Sequence, residues 1–201
     1  MNSFVLPING NVGGVIFIIG LFVAVVLIML LLATLVRPSL RIWPTPGEKS
    51  LQSYVFWPLF RGLNVLASLS AVAAWPGGAL GLPFWLRILA ALVLAVSVAI
   101  FVYAFRVLGR DNSYGASGGL VTGGIYQWSR NPQNAMLIVV YGALALTADS
   151  GPTYLLCGAM MLVYALMVLL EEPWLAARYG DDYRAYCRSV PRFFNVPRMF
   201  G

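Results

Sequence analysis

The stretch that decides the fold runs from Val12 to Val36 and reads VGGVIFIIGLFVAVVLIMLLLATLV, without a charged residue. A bilayer core of about 30 Å requires on the order of 20 apolar residues in a helix. The stretch therefore predicts a transmembrane helix. Because no Lys or Arg precedes it and its apolar run exceeds the short core of a signal peptide, we expect a permanent span.

Further apolar stretches follow at intervals along the chain. We expect a second span over residues 54–74, interrupted by Arg61, and a third over residues 84–105. Residues 135–170 are long enough for two short helices, and TADSGP at residues 147–152 supplies the turn between them. The sequence therefore predicts an all-α polytopic membrane protein of five transmembrane helices, with short interfacial helices on the cytoplasmic side.

The composition agrees with a single membrane domain over residues 1–201. Hydrophobic residues make up 60% of the chain and charged residues 10%, whereas soluble domains carry about 25% charged residues. With no histidine in the chain, triads, haem ligation and zinc sites that need imidazole are excluded. We expect no metal and no disulfide framework, because Cys157 and Cys187 lie far apart in different kinds of segment.

The distribution of Lys and Arg predicts the orientation. Basic residues follow spans one, three and five, whereas the other side has only Arg87, with Asp149 as its one acid. By the positive-inside rule the N-terminus is outside and the C-terminus is cytoplasmic. The net charge of +6 is explained by this topology and by attraction to anionic lipid headgroups, so it does not indicate nucleic-acid binding.

A glycine-rich segment, GRDNSYGASGGLVTGGIYQWSRNPQNA, occupies residues 109–135. Glycine lets a backbone approach a ligand closely, although an ordinary flexible loop has the same composition. At its end, Asn131 is a good cap and Pro132 suits the first turn of a helix. Two interpretations are open. The positive end of that helix attracts an anion, or the segment is only the start of a span, with Arg130 extending its side chain to the membrane surface.

Charged side chains near span five are the other candidates for a site. Glu171 and Glu172 are costly at a membrane boundary unless water or a cation reaches them. Pro173 suggests that a new interfacial helix begins there, forming either an anchor or a lid. Arg61 either snorkels to the interface or pairs with a substrate headgroup or one of these glutamates.

Spaced motifs in the C-terminal part of the chain resemble those of a known group of enzymes. They are LVTxGxY at 120–126, RNP at 130–132, EEP at 171–173, YGxxY at 179–183 and VPR at 190–192. This pattern resembles the integral-membrane methyltransferases, which include isoprenylcysteine carboxyl methyltransferase and the phospholipid N-methyltransferases. Residues 1–105, with spans one to three, add only a compatible topology.

The resemblance implies that residues 106–201 bind S-adenosylmethionine between spans four and five and the polar segments. The implied cofactor-binding residues are Gly119, Leu120, Val121, Tyr126, Asn131, Pro132, Gln133, Asn134, Glu171 and Glu172. Arg61, Arg130 and Tyr183 are weaker candidates for substrate contact, and no catalytic residue is identified. The chemistry agrees, since a helix N-terminus suits the methionine carboxylate and glutamates suit the α-amino group.

Departures from the carboxyl methyltransferase pattern bear on the methyl acceptor. Those enzymes have Arg-His-Pro-x-Tyr where this chain has RNPQN at 130–134, and an arginine where this chain has Met167. We therefore expect a lipophilic acceptor at the cytoplasmic membrane boundary, with a phospholipid amine, an isoprenoid or prenylcysteine carboxylate and a thiol all open. The alternatives are an NADPH-dependent sterol-type reductase and a non-catalytic membrane scaffold.

Overall fold

Five α-helices account for most of the residues that the computed structural model describes, which are 12–75, 77–109 and 119–194. The helices are α1 (Val12–Val36), α2 (Leu51–Ala73), α3 (Phe84–Leu108), α4 (Pro132–Ala148) and α5 (Gly151–Ser189). Single turns of 3₁₀ helix occupy Pro38–Leu40 and Gly124–Gln127. No strand occurs in the described ranges, which confirms the predicted all-α class. Gly115 and Gly118 of the glycine-rich segment lie outside the described residues.

The first three helices follow the predicted spans closely. α1 has the predicted bounds, whereas α2 begins earlier, at Leu51, because the Ser50 hydroxyl accepts a hydrogen bond from the backbone N–H of Ser53 (3.1 Å). This is an N-cap. α3 extends to Leu108 and ends at Gly109, whose φ is 80°.

The apolar block 135–170 folds into the predicted hairpin. α4 and α5 are joined at Asp149, which adopts a left-handed conformation with φ of 50°. Among the described helices, α1, α2, α3 and α5 are long and apolar enough to cross a membrane, whereas α4 has only 17 residues. The chain is thus a helical membrane protein with four helices of spanning length, and the fifth span and the orientation stay predictions.

The predicted new helix at Pro173 is wrong. α5 continues through Pro173 for a total of 39 residues, and its backbone departs from helical geometry at Gly180, where φ is 55° and ψ is −125°. Such a conformation carries little steric penalty only for glycine. The segment after Gly180 therefore takes a new direction, and it begins seven residues later than the proline suggested.

The core lies between α1, α2, α4 and α5, while α3 packs mainly on α4. Its fully buried side chains include Leu27, Leu31, Phe56, Leu63, Leu156, Met160 and Val163. Large apolar side chains on the outer faces of α1 and α3 remain exposed, among them Phe22 and Leu92. Exposed apolar surface of this extent indicates contact with lipid.

Asp149 holds the turn between α2 and α3 against the turn of the α4–α5 hairpin. Its carboxylate accepts hydrogen bonds from the backbone N–H groups of Leu80 (2.9 Å) and Leu82 (3.0 Å) and from the Tyr154 hydroxyl (3.0 Å). Both carboxylate oxygens are therefore partnered. We call this end of the molecule the turn end.

Arg87 completes the turn end. Its guanidinium donates hydrogen bonds to the backbone carbonyls of Thr147 (3.0 Å), Gly77 (3.0 Å) and Ala148 (3.4 Å), and it stacks over the Trp75 ring at 4.5 Å. Arg87, predicted to be the one basic residue on its side of the membrane, is thus buried and hydrogen-bonded. Gly77 is required here, because a Cβ would collide with the backbone carbonyl oxygen of Asp149.

Candidate active site

A cavity of about 390 Å³ lies at the opposite end of the hairpin, where α4 begins. Its walls come from α2, the last turns of α3, the segment after residue 118, the start of α4 and the part of α5 around Gly180. A volume of this size suits a small-molecule ligand. We call this region the cavity end.

Most of the predicted site residues meet in this cavity. The residues that line it are Gly119, Leu120, Val121, Tyr126, Asn131, Gln133, Asn134, Glu171, Arg61, Arg130 and Tyr183. Pro132 and Glu172 do not line it. Pro132 is buried in the first turn of α4, and Glu172 faces a different groove on α5.

Glu172 is held by two arginines. Its Oε1 accepts from Arg130 (3.0 Å) and from the Asn131 side-chain amide (3.3 Å), and its Oε2 accepts from Arg192 (2.7 Å). The side chains of Arg130 and Glu172 are each only 11% exposed. The hydrogen bond with Glu172 raises the pKa of the Arg192 guanidinium, so this group stays protonated. We call these four residues the Glu172 clamp.

The Glu172 clamp fixes one wall of the cavity. Arg130 also donates to the carbonyls of Cys187 (3.0 Å) and Val190 (2.8 Å), so it ties the start of α4 to the end of α5. Asn131 precedes α4 as predicted, but its side chain forms no capping hydrogen bond and joins the clamp instead. Arg130 and Asn131 therefore reach the cavity while their polar groups are engaged elsewhere.

Glu171 lies in a different environment from its neighbour. It lines the cavity, is partly buried and forms no ion pair with a described residue. The indole N–H of the buried Trp43 is directed at this carboxylate, without a hydrogen bond of standard geometry to any described residue. The Glu171 carboxylate thus faces the cavity, with the buried Trp43 N–H beside it.

Tyr126 lies in the 3₁₀ turn before α4 and is buried. Its hydroxyl accepts a hydrogen bond from the Gln133 amide (3.2 Å), and its backbone carbonyl accepts one from the Tyr186 hydroxyl. Burial raises the pKa of the Tyr126 phenol well above its ordinary value, and the contact with Gln133 offsets only part of this effect. Tyr126 is therefore a neutral phenol that positions the cavity wall, and it is unsuited to act as a base.

Arg61 lies near the middle of α2 and lines the cavity. Its guanidinium stacks over the Trp57 ring at 5.2 Å and pairs with neither Glu171 nor Glu172. Of the predicted alternatives, pairing with a glutamate is not observed. A charged group at this depth faces the cavity, where a ligand or water can solvate it.

Aromatic residues of α2, α3 and the α1–α2 connection were not predicted from the sequence. Those that line the cavity are Trp43, Trp57, Phe60, Phe101 and Phe105. The run YVFWPLF at residues 54–60 could have indicated such a role, because a transmembrane helix does not require so many aromatic residues. Their role depends on how α2 and α3 are placed around α4, which motif spacing does not reveal.

Comparison with known proteins identifies the family. The model for phospholipid methyltransferases matches residues 78–182, more than half of the chain. The chain belongs to the phospholipid methyltransferase family. No curated protein and no solved structure matches it significantly.

The family match covers α3, α4 and both glutamates, so the predicted resemblance to membrane methyltransferases is confirmed. Membership in the phospholipid methyltransferase family supports methyltransferase activity and favours neither the reductase nor the scaffold. Trp43, Trp57 and Arg61 precede the matched region, and Tyr183 follows it. These four residues are features of the cavity that the family match does not include.

Proposed function

We propose that this protein transfers a methyl group from S-adenosylmethionine to the amine of a lipid headgroup at the cytoplasmic membrane boundary. The observation that carries the proposal is Glu171, a carboxylate that faces the cavity without an ion-pair partner among the described residues. Its neighbour Glu172 is fully engaged by arginines, so only one of the paired glutamates is available to a ligand.

The chemistry of the cavity fits the methyl donor. Glu171 suits the α-ammonium group, and the positive end of α4 suits the carboxylate. Aromatic ring faces attract cations such as a sulfonium or a methylated ammonium. When bound, S-adenosylmethionine supplies a methyl group activated by its positively charged sulfur, which leaves as a neutral thioether when a nucleophile attacks the methyl carbon in line.

The protein contributes mainly alignment. The Glu172 clamp and Tyr126 hold the cavity wall in place through hydrogen bonds, and orientation of two reactants contributes up to about 7–11 kcal/mol in favourable systems. No histidine is present, and the Tyr126 phenol is a poor base. An amine acceptor therefore has to reach the cavity in its neutral form.

The walls of the cavity favour an acceptor that arrives from the bilayer. α2 and α3 both line the cavity through Trp57, Phe60 and Phe105, yet the two helices make little direct contact with each other. A lipid chain fits between such apolar walls. Arg61 suits the headgroup phosphate, because guanidinium groups bind phosphate oxygens through paired hydrogen bonds.

Calorimetric titration of the detergent-purified protein with S-adenosylhomocysteine tests the donor site. We expect saturable binding that Glu171→Gln weakens at least about tenfold, which corresponds to about 1.4 kcal/mol. Glu48→Gln is the matched control, because Glu48 is an exposed glutamate outside the cavity, and it should leave the affinity unchanged. Binding of NADPH without binding of S-adenosylhomocysteine would overturn the proposal.

A second experiment tests the acceptor. The protein is incubated with methyl-labelled S-adenosylmethionine and vesicles that contain phosphatidylethanolamine, a prenylcysteine acid or a lipophilic thiol. We expect label in the phosphatidylethanolamine fraction. Label in the acid or the thiol alone would contradict the amine assignment while leaving the methyltransferase assignment in place.

A further inference from the structure

A second groove, of about 470 Å³, lies on another side of α5 from the cavity. It is lined by Leu169, Glu172, Pro173, Ala176, Tyr183, Arg184, Cys187, Arg188 and Arg192. We call it the arginine groove. Tyr183 lines both the cavity and the arginine groove, so its side chain lies in the wall between them.

A stripe of leucines on α5 leads into the arginine groove. Leu155, Leu162 and Leu169 are 48%, 46% and 40% exposed. Their spacing of seven residues places them on one face of the helix. The next residue at that spacing is Ala176, which lines the groove. The apolar face of α5 therefore continues from the membrane into the floor of the groove.

The groove lies at the depth of lipid headgroups. From Gly151 to Leu170, α5 rises about 30 Å, which is the thickness of a bilayer core. Leu169 is at the end of this rise, and the arginines follow it along the chain. A lipid whose acyl chain lies on the leucine stripe thus has its headgroup next to the arginines.

The charge of the groove is positive. Three arginines line it against one glutamate, and Glu172 already accepts hydrogen bonds from an arginine at each oxygen. Arg184 pairs with the exposed Asp181 (2.8 Å), whereas Arg188 is exposed and forms no ion pair with a described residue. Arg188 therefore has its charge available to an anion.

We propose that the arginine groove binds one anionic phospholipid, separately from the methylation cavity. Arg188 binds the phosphate, Arg184 adds positive charge beside it, and the leucine stripe holds an acyl chain. A zwitterionic lipid binds more weakly, because its ammonium group meets the same positive charges. This site is additional to the proposed methyl transfer and does not depend on it.

Native mass spectrometry of the protein released from nanodiscs tests the site. The nanodiscs contain equal amounts of phosphatidylglycerol and phosphatidylcholine with matched acyl chains. We expect the wild-type protein to retain one phosphatidylglycerol, and the Arg184→Gln, Arg188→Gln double variant to lose this preference about tenfold or more. Arg37→Gln is the matched control, since Arg37 is an exposed arginine at the end of α1, outside the groove.

Two further measurements keep the test decisive. Arg188→Lys should keep most of the phosphatidylglycerol preference, since this change preserves the charge. An unchanged S-adenosylhomocysteine affinity of the double variant would show that the double variant is folded. Equal retention of both lipids by the wild-type protein overturns the proposal. So does preference for phosphatidylglycerol in the double variant, or a protein dimer in place of bound lipid.

Discussion

The charged side chains at the two ends of the α4–α5 hairpin differ in how they are partnered. At the turn end, Asp149 and Arg87 are buried and every contact described for them is a hydrogen bond or a ring contact within the protein. At the cavity end, the Glu172 clamp is paired internally as well, whereas Glu171 and Arg61 form no ion pair with a described residue. Buried polar groups are normally satisfied, so the difference separates groups that stabilise the fold from groups that are available to a ligand.

The adjacent residues Glu171 and Glu172 show the same contrast between a paired and an unpaired carboxylate. Glu172 lies in the clamp and Glu171 lies in the cavity. The paired glutamates therefore have two different roles, which variants at each position can separate.

The largest effect is expected for Glu172→Gln. This change leaves Arg130, whose side chain is 11% exposed, without its carboxylate. Removing one partner of a buried ion pair costs about 3–5 kcal/mol. We expect a loss of this size in the free energy of unfolding, measured by dodecyl sulfate titration in mixed micelles. A loss no greater than that of Glu48→Gln would show that the clamp does not stabilise the fold.

Asp149→Asn should have the next largest effect. The amide has one acceptor oxygen in place of the two that bind the N–H groups of Leu80 and Leu82. Hydrogen bonds to a charged group contribute about 1.5–3 kcal/mol, and we expect a loss in that range by the same titration. S-adenosylhomocysteine affinity should stay unchanged, and a weakened affinity would contradict the separation of the two ends.

Arg61→Gln should change catalysis without changing stability. We expect the KM for the lipid acceptor to rise about tenfold, which corresponds to the loss of a charged contact of about 1.4 kcal/mol. The kcat should change much less. Arg106→Gln is the control, since Arg106 is exposed at the end of α3 and does not line the cavity. An equal rise in both variants would indicate a general electrostatic effect at the membrane surface.

The smallest effect is expected when Trp43 is replaced by benzothienylalanine, which keeps the shape of tryptophan but lacks the N–H. The N–H is directed at the Glu171 carboxylate without a hydrogen bond of standard geometry, so its loss should cost little stability while leaving Glu171 less well oriented. The affinity of the variant for S-adenosylhomocysteine should fall a few-fold in calorimetry. A less stable variant of unchanged affinity would make Trp43 a structural residue like Asp149.

The elements that the sequence predicted well are those determined by local chemistry. α1 ends where Arg37 follows an uninterrupted apolar run, and the hairpin turns at Asp149 within TADSGP. The residues at the start of α4 and Glu171 were found because motif spacing identifies the family. Such features need no knowledge of packing.

The features that the sequence did not predict depend on contacts between distant segments. Pro173 does not end α5, and the residue before it, Glu172, is paired with Arg130 and Arg192 from other segments of the chain. The different roles of Glu171 and Glu172 follow from where Arg130 and Arg192 lie. Trp43 reaches the cavity only because the α1–α2 connection folds under α2, where its ring stacks on Phe56 at 4.9 Å.

The hydrogen-bonded turn end has a mechanical consequence for the rest of the molecule. Arg87, near the start of α3, is fixed to the hairpin turn, so this point would be the fulcrum of any tilt of α3 against α4. α3 extends about 37 Å from end to end at 1.5 Å per residue. A rotation of only about 5° at the fulcrum would displace the Leu108 end by about 3 Å. The width between Phe105 and Trp57 would thus change by up to about 3 Å while the turn end stays intact.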